Sequence, residues 1–402
     1  MSDPLPRTLD LLLQGLEDHL HLGAALYVSV RGQTVADLVL GEAAPGQLLT
    51  HRHLCPYLSS GKPLTALAIA WLWERKLLRL DDPVQRFIPD FAGPGKDAIT
   101  LRHCLTHTAG LRNAISAWTR QSPSDILRTL CQAPIEPGWV VGRTAGYHVA
   151  STWYLLGEVV RVVATKPLET FLRDFVLTPL GMTSVRLTFT PEQWHNPDPP
   201  RVVMHDTSKS YVIRSPAPAH AAPPDVPPDA LPGPPSAGTA ATADPDRQPP
   251  TPLSWESPEV AAVPRPGSGF RGTAHDLGRL YEFLLGHLEP PTHVLSHTTR
   301  EALTARHRVG LTDLTFRSKV DWALGFICES SHYNQGPIPY QFGPHASPRT
   351  FGHGGNQSSV GFADPQHGLS VALLYNGMPG DPRHDKRLRE TLAALYTDLG
   401  LA

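Results

Sequence analysis

The chain has 402 residues, 41% of them hydrophobic and 18% charged, which is enough apolar material for one large domain or two lobes. Its 35 basic and 37 acidic residues leave a formal charge of −2. With no cationic surplus to pair with phosphates, a nucleic-acid partner is not expected.

Residues 1–20 carry Asp3, Arg7, Asp10, Glu17 and Asp18, where a secretory leader needs an uninterrupted apolar core. Leu9, Leu12, Leu13, Leu16 and Leu20 fall at helical spacing and predict an amphipathic helix that Gly23 interrupts. Residues 24–30, a turn at Arg31-Gly32 and residues 35–40 read as a β-hairpin. A second apolar helix is expected to start near Pro63 and run to Arg75, because proline suits a first helical turn.

Further on, 51 residues from Pro216 to Pro266 hold 16 of the 42 prolines. That composition buries too little apolar surface to offset its ordering entropy, and predicts an extended or flexible insertion. Leu253 and Trp255 are its candidate anchors. Leu369 to Tyr375 reads as a strand, and Leu388, Leu392, Leu395 and Leu399 as a closing helix. The class is therefore α+β, with both termini in one sheet and a helix-rich middle. The expected division is a sheet lobe of residues 1–55 and about 300–402, a helical lobe of about 56–300, and no second domain.

No run reaches the ~18 apolar residues of a membrane span. Cys55, Cys104, Cys131 and Cys328 show no C-x-x-C spacing and read as thiols of a reduced compartment. A cytoplasmic protein is expected.

The chemistry starts at Leu58-Ser59-Ser60-Gly61-Lys62-Pro63. A serine three residues before a lysine at a helix start shares a face with it. A desolvated lysine can accept the serine proton, which makes a nucleophile with a local base. Alone the pattern is weak, since a surface lysine satisfies it equally well.

Its surroundings add weight. Leu80-Asp81-Asp82-Pro83 follows, then Ile99-Thr100-Leu101-Arg102-His103-Cys104-Leu105-Thr106-His107-Thr108-Ala109-Gly110-Leu111. This succession resembles the serine β-lactamase, penicillin-binding-protein and related family VIII carboxylesterase superfamily. The likeness spans about Gly23 to Asn376, apart from the proline-rich stretch. It implies a β-lactamase/transpeptidase-like fold, an antiparallel sheet built from both termini and flanked by helices, beside a helical lobe. His103 and His107 are four apart, but a third metal ligand is not evident. No metal or cofactor is expected.

The resemblance assigns roles to further residues. Tyr147, in Gly146-Tyr147-His148-Val149, would stand against Ser59 and Lys62 and shuttle the proton. Val149 stands where β-lactamases carry an amide-binding asparagine, a departure that points toward esters. In Phe351-Gly352-His353-Gly354-Gly355-Asn356, His353 replaces the usual lysine and offers less attraction to a substrate carboxylate. The Ser59 and Asn356 backbone N–H groups would form the oxyanion hole. His148, Trp153, Gly354 and Gly355 are the candidate substrate-binding residues, and Trp139 a further flank of the tyrosine loop. Gly267 to Leu277 matches an element that opens a helix capped by Thr273.

The expected function is a serine hydrolase that forms a Ser59 acyl-enzyme on a small-molecule ester. The alternatives are acyl transfer from the same intermediate, a β-lactamase or D-aminopeptidase, and a non-catalytic binding protein on the same fold.

Overall fold

The computed structural model describes residues 4–116, 121–208, 250–333 and 340–402. The hairpin forms β1 (Gly23–Val30) and β2 (Gln33–Ala44). Arg31 and Gly32 both adopt positive φ, 51° and 76°, as the tight turn matching the strands' twist requires. β3 is Gln47–Leu48, and β4 to β7 are Ile327–Cys328, Phe351–Gly355, Ser359–Asp364 and Leu369–Tyr375. They make one seven-stranded antiparallel sheet in the order β3-β2-β1-β7-β6-β5-β4. Both ends of the chain meet at its centre, where Ala24 pairs with Tyr375 and Val30 with Leu369.

Alternation along the strands feeds two separate cores. Ala24, Leu26 and Val28 of β1 pack with Val371 and Leu373 of β7, and with Leu388, Leu392 and Leu395. These leucines belong to α5 (Asp381–Asp398), which lies with α1 (Pro6–Glu17). Asp398 accepts hydrogen bonds from the Thr8 backbone N–H at 2.9 Å and its hydroxyl at 2.8 Å. A carboxylate there satisfies first-turn donors of α1 and its dipole. Ala25 and Tyr27 face the other core, with Leu277, Leu280 and Tyr281 of α4 (Ala274–Leu285). Thr273 caps α4 by accepting from Asp276 N–H. Gly278 lets that helix approach the sheet, since a Cβ there would lie 2.1 Å from the Tyr27 ring. α4 thus packs on the sheet, although its residues precede the expected lobe boundary near 300.

The helical side contains α2 (Lys62–Glu74) and α3 (Ser151–Ala164). α2 is apolar on nearly every side, with ten of its residues buried from Lys62 to Leu72, so it is a central core helix.

Of the proline-rich stretch, residues 209–249 lie outside the described residues. Residues 250–266 depart from the expectation of an extended segment, because they are tied to the body. Leu253 N–H donates to Met204 O at 3.0 Å, and Phe189 N–H to Ala261 O at 3.1 Å. The Glu256 carboxylate, 1% exposed, pairs with Arg271 at 2.8 Å and Arg201 at 3.4 Å. One acid in a proline-rich run thereby fastens it, by pairing with the buried Arg271 and the partly buried Arg201.

Candidate active site

Ser59 sits on a 3-10 turn, Leu58–Gly61, that runs directly into α2. Leu58 has φ 48°, a left-handed conformation that strains a non-glycine residue by about 1 kcal/mol. The neighbours hold the turn in place. Tyr57 N–H donates to Phe270 O at 2.9 Å. The Tyr57 carbonyl accepts from the Ser359 hydroxyl of β6 at 2.6 Å and from the Ser60 hydroxyl at 2.7 Å. The turn is thus fastened to the sheet on one side and to the 270–272 segment on the other.

Two donors converge on the Ser59 hydroxyl. The Lys62 ammonium nitrogen lies 3.0 Å from Ser59 Oγ, and the Tyr147 hydroxyl donates to the same oxygen at 2.8 Å. Ser59 is 6% exposed and Tyr147 3%, while Lys62 is fully buried. Lys62 also donates to Gly267 O at 2.8 Å and lies 5.4 Å from the centre of the Trp153 ring. Burial without a carboxylate partner holds the Lys62 pKa well below the usual lysine range. Burial pushes the Tyr147 phenol well above its ordinary value, which keeps it a neutral donor. The pair supplies one base and one acid to a single oxygen.

Tyr147 is positioned by residues far along the chain. Its backbone N–H donates to Asp313 Oδ1 at 3.0 Å, and its carbonyl accepts from the Thr315 hydroxyl at 3.2 Å. Asp313 is in turn paired with Arg308 at 3.0 Å, both fully buried. Phe316 and Trp322 stack on the Tyr147 ring at 5.0 and 5.7 Å, and His107 packs against it at 4.8 Å. His107 accepts the His148 backbone N–H on Nδ1 at 2.9 Å.

On the opposite wall, Phe351, His353 and Gly355 share one face of β5. A Cβ on Gly355 would lie 2.5 Å from Tyr57 O and 3.2 Å from Leu58 Cβ, so this strand end abuts the nucleophile turn. His353 is fully buried, with Nδ1 2.7 Å from Gly354 O, and among the described residues its Nε2 has no hydrogen-bond partner. Burial first, then the nearby Lys62 charge, holds it well below the normal histidine range. It is held as a neutral ring.

The Beta-lactamase family matches residues 10–396. The chain belongs to that family. Esterase EstB of Burkholderia gladioli is 27% identical over 400 residues, covering 91% of this chain and 90% of that protein. A 32% match to the putative penicillin-binding protein PbpX of Bacillus subtilis (strain 168) spans only 31% of this chain and 30% of that protein. Among solved structures, a penicillin-binding-protein homologue from Caulobacter crescentus superimposes with a TM-score of 0.72 at 26% identity, covering 99% and 98% of the two chains.

In this beta-lactamase-family chain, Ser59, Lys62 and Tyr147 come together within hydrogen-bonding distance, and His353 stands behind them, 6.0 Å from Tyr147 between ring centres. Asn356 is exposed just past the end of β5. Two of the expected substrate-binding residues have other work. His148 is fully buried, and its Nε2 accepts the Leu111 backbone N–H at 2.9 Å. It secures the Tyr147 loop and presents no surface to a ligand. Trp153 is also fully buried in the core beneath Lys62; it desolvates the lysine and does not line a pocket. Gly354 and Gly355 are required first by protein groups, because a Cβ on Gly354 would meet the Tyr340 ring at 2.3 Å. Trp139 donates its Nε1–H to Thr108 O and supports the loop from behind. Val149, at the departure from the asparagine pattern, is 44% exposed and offers no amide.

Sequence reasoning missed Asp313, Arg308, Phe316, Trp322 and Tyr340. No local pattern marks them, because the tyrosine they hold or pack against belongs to a distant part of the chain. Among the described residues, no group of three or more histidine, cysteine or acidic side chains is arranged to hold a metal, and no helix is long and apolar enough to cross a membrane.

Proposed function

We propose that this enzyme is a serine hydrolase that forms an acyl-enzyme at Ser59 and acts as a carboxylesterase on a small-molecule ester. The observation that carries this reading is the single oxygen, Ser59 Oγ, held 3.0 Å from a desolvated lysine and 2.8 Å from a neutral tyrosine. Lys62 in its neutral form keeps one N–H on Gly267 O and turns its lone pair to the serine proton. Ser59 Oγ bonds to the ester carbonyl carbon as that proton moves to Lys62. The carbonyl electrons collect on an oxygen facing the Ser59 and Asn356 amides, where each donor is worth about 3 kcal/mol in acyl transfer. Collapse of this intermediate breaks the bond to the alcohol, which takes its proton from Tyr147, and Lys62 returns one to the tyrosine. Water then repeats the sequence and frees the acid.

Transfer to an alcohol or amine is the second reading, favoured by the near-complete burial of Ser59 and Tyr147, which limits water around the acyl-enzyme. A β-lactam or D-alanyl peptide fits less well. Val149 lacks the amide, and neutral His353 lacks the charge, with which such substrates are held. The free thiols of Cys55, Cys104, Cys131 and Cys328 support a cytoplasmic setting.

Intact-protein mass spectrometry with a panel of p-nitrophenyl esters and one β-lactam tests the proposal, comparing the native chain with Ser59→Ala. An ester-derived mass increment on the native chain alone, with turnover lost by on the order of 10³-fold or more in the variant, is expected. Full activity in Ser59→Ala would overturn it. Added alcohols or amines that capture the acyl group in preference to water would favour transfer.

A further inference from the structure

The Ser59–Tyr147 pair lies beside a chain of aromatic rings that the mechanism does not use. Phe316 stacks on Tyr147 at 5.0 Å, and Tyr340 meets Phe316 edge-on at 5.7 Å. Tyr340 also stands 6.2 Å from Tyr147 and 5.8 Å from His353. Its ring covers Gly354 so closely that a Cβ there would lie 2.3 Å from Cδ1. Tyr340 has φ 59°, a strained conformation for a tyrosine that persists only where surrounding contacts over-determine it. Phe316 and Tyr340 are partly buried residues, the Tyr340 phenol itself being buried, and Val149 and Leu314, on the loops that carry Tyr147 and Phe316, are exposed apolar side chains.

Two cations near this wall are paired within the protein. Arg308 is paired with Asp313, and Arg112 with Glu136 at 2.7 Å. Lys62 is buried on Ser59 and Gly267. Burial first, then the charges of Asp381 and Asp385, raises the Tyr340 phenol, so the field near that ring is unfavourable to an anion. Flat apolar surface with paired cations selects an uncharged, flat group.

Resting on the reading of Ser59 as nucleophile, we propose that Phe316 and Tyr340 are specificity-determining residues that bind the alcohol portion of the ester, selecting an uncharged aryl or arylalkyl alcohol. The side of the site follows from the chemistry: the leaving oxygen takes its proton from Tyr147, so the alcohol departs past the rings packed on that tyrosine.

The test is the ratio of kcat/KM for benzyl acetate over methyl acetate, which share an acyl group and have leaving alcohols of similar basicity. The native chain is expected to favour benzyl acetate by about tenfold or more. Tyr340→Ala and Phe316→Ala should each bring the ratio close to one, and Tyr340→Phe should keep it. Gly354→Ala should lower it as Tyr340→Ala does, because the new methyl displaces the ring, and the two changes together should add little to either alone. The ratio for vinyl butyrate over vinyl acetate, which varies the acyl group alone, should hold in Tyr340→Ala. A benzyl preference that survives in Tyr340→Ala and Phe316→Ala overturns the proposal, as does a loss confined to the acyl series. Labelling of Ser59 by a phosphonylating probe, read by mass, keeps the two readings apart. A native chain that labels at Ser59 while the ratios stay fixed refutes the alcohol subsite and leaves the nucleophile standing. A chain that never labels removes the nucleophile itself.

Discussion

Lys62 shows how burial alone lowers a lysine pKa. It has no carboxylate beside it, and desolvation is the cause of its lowered pKa. A positive charge in that place would have the Gly267 carbonyl at 2.8 Å, the Ser59 hydroxyl at 3.0 Å, and the Trp153 and Tyr147 rings at 5.4 and 5.2 Å as its compensation, less than water provides. The kcat/KM profile should therefore rise with pH as free Lys62 loses its proton, on a limb set well below the ordinary lysine range, while Tyr147 stays protonated past the ordinary tyrosine range. Lys62→Arg, which cannot be deprotonated, should remove that limb and cost on the order of 10²-fold or more in kcat. A profile recorded from about pH 5 to 10 checks this, and an unchanged ascending limb in Lys62→Arg would refute the assignment. Substrate esters with non-ionising groups keep the limb attributable to the enzyme.

Between residues and fold stand the connections that deliver each group. The nucleophile turn and the 250–272 segment form one such unit: Cys55 and Pro56 pair with Gly272 and Arg271, and the Phe270 ring touches Gly61, where a Cβ would come within 3.0 Å. Glu256 fastens this unit through Arg271 and Arg201, whose guanidinium stacks 3.7 Å from the Trp194 ring. Glu256→Ala leaves two cations without their carboxylate, a loss of about 3–5 kcal/mol for a buried pair. Thermal unfolding should fall by several degrees, and ester turnover should decline with it, as Gly267 O no longer holds Lys62 in place. An unchanged melting temperature would show that the Glu256 ion pairs contribute nothing to the body.

The protein also buries several neutral histidines. His21, His107, His148, His353 and His384 are all held below the ordinary histidine pKa by desolvation, His148 and His384 at about 3. Unfolding exposes each to water, where it takes up a proton below its normal value of about 6.5. The unfolded state therefore binds more protons, and stability present above about pH 6.5 is lost as pH falls toward the folded values. Each histidine contributes up to about 1.4 kcal/mol per pH unit in that window. Denaturant titrations at about pH 7, 6 and 5 should show a steep decline, and a flat response would mean these rings are hydrated in solution. Asn376 ties the ends of the chain at the top of the sheet: its side chain accepts from Leu22 and Gly23 N–H at 3.0 and 2.7 Å and donates to Glu42 O at 2.7 Å. Stability and activity are coupled here, since β5 and β6, which carry His353 and hold the Ser59 turn, belong to that same sheet.

What could be read from the amino-acid order was whatever repeats or sits close along the chain. The apolar run Leu369–Tyr375 emerged as a strand with those limits, the helix after Pro63 formed as Lys62–Glu74, and the Ser59–Lys62 spacing placed the lysine nitrogen beside the serine hydroxyl, because each rests on local geometry. Tyr147 was legible only through its resemblance to a motif, since its partner lies 88 positions away. Tertiary structure alone decided that His148 and Trp153 support the site from behind. It also decided that Asp313 holds Tyr147, that α4 belongs to the sheet, and that Phe316 and Tyr340 stand beside Tyr147. The physical reason is common to all of them: burial and long-range pairing are properties of the assembled packing, and no window of neighbouring residues contains the atoms that determine them.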